Sequence, residues 1–73
     1  MAVMIPIDEA LRKASDDSLS ALAGGDIFET KWKARVQELV REAKAKGIER
    51  VSYDGFWKRA KRDTEKSYGK KYP

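Results

Sequence analysis

The side chains best suited to chemistry cluster late in the chain. Lys58, Arg59, Lys61 and Arg62 fall within five residues, and Lys66, Lys70 and Lys71 follow. On a helix, residues three apart project side by side, so Arg59 and Arg62 form a pair. Guanidinium groups so spaced can grip carboxylates or phosphates bidentately. Lys58 and Lys66 flank the pair, and these four residues are the first candidate binding group. The chemistry on offer is recognition of an anion, either a nucleic-acid backbone or an acidic protein patch. The competing reading is plain solvation, because exposed charges commonly contribute nothing measurable.

Catalytic groupings are not evident. The sequence has no Cys and no His. The thiolate nucleophile, the commonest general base and the commonest zinc ligand are therefore absent. Twelve acids remain, scattered and mostly interleaved with bases in the later part. A general acid needs a desolvated carboxyl, and no pattern here predicts one. Calcium-loop spacing is missing as well. The expectation is a binding protein, not an enzyme, with no cofactor.

A second candidate group lies at the other end. Ala2-Val3-Met4-Ile5-Pro6-Ile7 is apolar, and Pro6 disfavours helix at Ile5. An extended arm anchored by Met4, Ile5 and Ile7 could enter a groove or join a sheet edge on a partner. It could equally pack on its own core. If it is a free anchor, deleting residues 1–7 leaves the fold intact and weakens partner binding.

The elements that would position these groups are mostly helical. Phe28, Trp32, Val36, Leu39, Val40 and Ala43 recur at helical steps and predict a helix from Ile27 to Lys46. Asp26 and Glu29 make a capping box before it, and Gly47-Ile48 suits a Schellman close after it. A second helix is predicted from Ser52 to about Ser67, with Ser52 as cap and Val51 and Phe56 as a hydrophobic staple. The N-terminal third reads as two short helices or one interrupted helix, carrying Leu11, Ala14, Leu19 and Leu22 and ending at Gly24-Gly25. The predicted core is Leu19, Leu22, Phe28, Trp32, Val36, Leu39, Val40, Ile48, Val51, Phe56, Trp57 and Ala60, with both tryptophans structural.

Seventy-three residues make one domain. The predicted class is all-α, a small bundle of about three helices with an extended N-terminal arm and a helix-turn-helix-like C-terminal half. Its parts are a flexible apolar arm (1–7), a short acidic helical region (8–25), the main helical hairpin (26–68) and a frayed tail (69–73). Charge divides along the same line. Residues 1–27 hold two bases against five acids, and residues 28–73 hold fourteen bases against seven acids. No stretch approaches a membrane span, and the arm is too short for a secretory core. A soluble, intracellular monomer is expected.

The opening MAVMIPIDEALRK and the stretch GDIFETKWKARVQELVREAKAKGIERVSYDGFWKRAKR resemble the small transcription regulators that lytic bacteriophages direct at the multisubunit RNA polymerase of their host. The resemblance covers most of the chain but carries no catalytic motif. It implies a host-takeover protein in the bacterial cytoplasm. Such a protein would contact the two largest polymerase subunits near the RNA exit channel. It would inhibit initiation at host promoters by displacing the specificity factor, and act as an antiterminator. An alternative from another class is a helix-turn-helix DNA-binding regulator, with residues 56–62 on the helix that enters the major groove. Six residues, Gly47 to Ser52, would then separate the helices, where three or four are usual. Direct contact with RNA or DNA backbone is compatible with both readings.

Overall fold

The computed structural model describes residues 3–68. The element order is β1 (Met4–Pro6), α1 (Ile7–Gly24), α2 (Ile27–Ala45), β2 (Arg50–Ser52) and α3 (Tyr53–Tyr68). It is a three-helix globule, as the periodicity predicts, with a two-stranded antiparallel ribbon added. The tail assigned to 69–73 lies outside the described residues.

The N-terminal third forms one continuous helix. Pro6 sits at its N-cap with φ −58 and ψ 145, and Asp8 and Glu9 occupy the first turn, where the macrodipole favours acids. Gly25 stops it in the left-handed conformation at φ 76, donating its N–H to Leu22 O at 3.2 Å. The buried stripe of α1 is Ala10, Ala14 and Ala21, not the leucines. Leu19 is nine residues from Ala10, roughly two and a half turns, and so lies on the opposite side. Leu19 and Leu22 are accordingly exposed, which corrects their place in the predicted core. Small side chains on this stripe let α1 lie close against α2.

α2 is the central helix and packs against both α1 and α3. It runs antiparallel to α1. Asp8 pairs with Lys44 at 2.9 Å, Gln37 donates to Ser15 Oγ at 2.9 Å, and Thr30 donates to Ala21 O at 3.4 Å. Its caps are those predicted. The Asp26 side chain accepts from Glu29 N–H at 2.9 Å. Gly47, at φ 83, donates to Lys44 O, and Ile48 donates to Ala43 O at 3.1 Å, which together make a Schellman close. Ile48 is nevertheless exposed rather than core. Phe28, Val36, Leu39, Val40, Val51 and Ala60 are buried as predicted, and Trp32 and Phe56 pack against that cluster half-buried.

The arm is not free. Met4–Pro6 pairs antiparallel with Arg50–Ser52, in register Met4↔Ser52, Ile5↔Val51 and Pro6↔Arg50. Ile7 N–H donates to Glu49 O at 2.8 Å, and the Arg50 guanidinium donates to Met4 O at 3.1 Å. Ile5 and Ile7 pack against the helical core. The physical reason is the size of the domain. The largest fully buried side chains are Val36 and Val40, and a core so slight gains by recruiting every nearby apolar residue.

Candidate interaction surfaces

α3 positions the predicted cations. Ser52 starts the helix by accepting from Gly55 N–H at 3.3 Å. Phe56, Ala60 and Thr64 face inward, Thr64 returning its hydroxyl to Ala60 O at 2.8 Å. The opposite face then carries Lys58, Arg62 and Lys66 in a row at steps of four, with Arg59 beside them. All four are exposed, and none is held by an ion pair among the described residues. Asp63, which follows Arg62, turns away and accepts from Arg35 Nε at 3.1 Å. Glu38 and Glu42 also surround that guanidinium. Burial opposes the Arg35 charge, but its bonds to Asp63 and Glu38 raise its pKa. The outward cations thus form no ion pair among the described residues, while Asp63 is tied to α2. Arg59 also reaches the edge of a shallow open groove of about 510 Å³ between α2 and α3, whose floor includes Ala34 and Thr64.

The apolar candidates are divided by the strand register. Met4 points out and is 50 % exposed, whereas Ile5 and Ile7 point in. The exposed apolar residues at this end are Val3 and Met4, and Ile48, also exposed, lies past Arg50 at the other end of the ribbon. Sequence reasoning placed Ile48 in the core and took Ile5 as a candidate partner anchor, with packing on the protein's own core as the equal alternative. The alternation of a strand would have separated Met4 from Ile5, but three residues are too short a run to read that alternation. A second exposed group, Leu19, Leu22 and Ile27, lies at the far end of α1.

One cluster was not visible in the sequence. The Lys33 side chain is buried, with Nζ 3.1 Å from the Trp57 ring centroid and 3.9 Å from that of Trp32. The two rings meet edge to face at 5.0 Å, Tyr53 packs edge-on to Trp57, and Trp32 Nε1 donates to Trp57 O at 2.9 Å. Burial pushes the Lys33 pKa below its ordinary value of 10.5, with Asp17 and Glu29 pulling the other way. Tyr53 donates to Asp17 Oδ2 at 2.6 Å, and burial, followed by that bond, raises its phenol well above 10.0. Both tryptophans are therefore structural, and the cation they face is the protein's own.

Among the described residues no group of three or more acids is placed to hold a metal ion. Among the described residues no helix is long and apolar enough to cross a membrane either. Comparison with protein-family models, curated proteins and solved structures gives no match for this chain.

Proposed function

We propose that this protein is a phage transcription regulator that acts without catalysis, by docking on the host RNA polymerase. In this reading it inhibits initiation at host promoters and promotes antitermination. The partner is named by the resemblance of MAVMIPIDEALRK and of residues 25–62 to that class of regulator. The observation that carries a docking mode is the pair of exposed apolar side chains Val3 and Met4 at the start of the ribbon. Exposed apolar side chains on a rigid ribbon supply contact area with little ordering cost. Ile5 and Ile7 support the docking surface from behind, by holding β1 in place.

The connection between α2 and α3 weighs against the helix-turn-helix alternative. Residues 46–52 include a strand paired to β1, where the DNA-reading motif has a tight turn of three or four residues.

The test is retention on immobilised, purified host polymerase with nuclease present. The wild-type chain should be retained. The double variant Val3→Ser/Met4→Ser should keep its circular dichroism and lose at least tenfold in affinity. Failure of the wild-type chain to bind would overturn the proposal. Undiminished binding by the variant would move the contact elsewhere on the surface.

A further inference from the structure

The outward face of α3 has a composition that a protein interface would not have. At its centre are the exposed residues Gly55, Lys58, Arg59, Arg62 and Lys66, with Asp54, Lys61 and Ser67 exposed at its margins. There is no apolar side chain among them. Protein interfaces concentrate their energy in buried apolar or aromatic anchors surrounded by polar groups. Here the rim chemistry is present and the anchor is missing. Among the described side chains of this helix the aromatics that could have served, Tyr53, Phe56 and Trp57, are turned inward, and Trp57 is engaged by Lys33.

A polyanionic backbone needs no anchor. Side chains at steps of four along a helix stand about 6 Å apart, so Lys58, Arg62 and Lys66 form a straight row about 12 Å long. Arg59 widens the row on the side away from Asp54 and Glu65, which lie along the other flank. Asp63 is withdrawn into its pair with Arg35 at 3.1 Å. Two kinds of nucleic acid could present phosphates to such a row. Single strands are typically bound on exposed aromatic platforms that stack the bases, and among the described side chains this face has none. A duplex holds its phosphates in a regular array without help from the protein.

We infer that the outward face of α3 is a phosphate-binding surface for duplex DNA, contacting the backbone without reading sequence. The contact is independent of the polymerase reading, because it uses a different face and is measured with no polymerase present. Four neutralised phosphates set its strength. Non-specific affinities of this kind lie at about 10⁻⁴–10⁻⁶ M at physiological salt, and the logarithm of affinity falls with the logarithm of salt at about −0.9 per phosphate.

The experiment is fluorescence anisotropy of a labelled 20-base-pair duplex, titrated with the full chain at 50 to 200 mM salt. Two triple variants, each checked by circular dichroism, complete it. Lys58→Ala/Arg62→Ala/Lys66→Ala removes the row. Arg12→Ala/Lys13→Ala/Arg41→Ala removes the same charge from exposed positions on α1 and α2. The wild-type chain should bind with a salt slope of about −3 to −4, and duplexes of different sequence should bind alike. The row variant should fall to a slope near −1, and the control variant should keep the wild-type slope. Equal losses in the two variants would show that net charge alone is read, and would overturn the inference. So would absence of binding at 50 mM salt. Equal competition by a single strand of the same charge would overturn the duplex, and tighter capture of polyglutamate would assign the face to acidic protein.

Discussion

Lys33 lies furthest from what its residue type leads one to expect. Lysines are rarely buried, yet its ammonium rests between two indole faces. A desolvated cation–π contact is worth about 2 kcal/mol, and taking the charge out of water costs a comparable amount. Lys33→Met keeps the stem and removes the charge, so it should change stability by less than about 1 kcal/mol at pH 7. Its signature is in the pH dependence. The folded pKa is depressed below 10.5, so below that value the unfolded chain binds more protons and stability rises with pH. The variant lacks this rise. Thermal midpoints of both proteins at pH 7 and pH 10 should therefore diverge in favour of the wild type at pH 10. Parallel profiles would mean that Lys33 is as solvated folded as unfolded. Tyr53 acts only at higher pH, where its raised folded pKa removes stability as the unfolded phenol ionises above 10.0.

At the scale of the element, the turn between α1 and α2 offers two adjacent glycines with opposite requirements. Gly24 is helical, while Gly25 sits at φ 76, and at both positions a methyl group would meet no neighbouring atom within 4 Å. Space is thus equal and only conformation differs. Gly24→Ala should raise stability by about 0.5 kcal/mol, by lowering the entropy of the unfolded chain. Gly25→Ala must adopt the left-handed region and should cost about 1–2 kcal/mol. At this size, 1 kcal/mol moves the midpoint by about 4–8 °C, so two melting curves decide the matter. A stabilising Gly25→Ala would show that α1 continues past its present end.

The whole molecule depends on an element that the sequence left uncommitted. β1 lines up with β2 across the 43 residues of chain from Ile7 to Glu49 and delivers Ile5 and Ile7 to the core. A bundle of this size has only about 3–5 kcal/mol of net stability. Removing residues 1–6 should therefore lower the thermal midpoint by about 5–15 °C, because it deletes the Ile5 contact and the ribbon together. Met4→Ser, which alters an exposed side chain on the same strand, should move it by less than about 2 °C. A truncated chain that melts like the full one would restore the picture of a free arm.

The sequence by itself determined the parts whose causes are local. Period, caps and stop signals lie within a few residues of one another. Asp26, Glu29, Gly47 and Ser52 therefore marked α2 and the start of α3 to within a residue, and the outward cations of α3 followed from its core face. Tertiary structure decided what depends on residues far apart in the chain. The inward stripe of α1 is made of alanines, whose burial reflects the nearness of α2 rather than any hydrophobic signal of their own. Leu19 and Leu22 are more apolar yet lie outside, because α2 occupies the other side. The facing of Met4 and Ile5 was fixed by register against β2. Lys33 looked like surface charge until α3 brought Trp57 over it. Only packing between α2 and α3 could enclose that cation between Trp32 and Trp57.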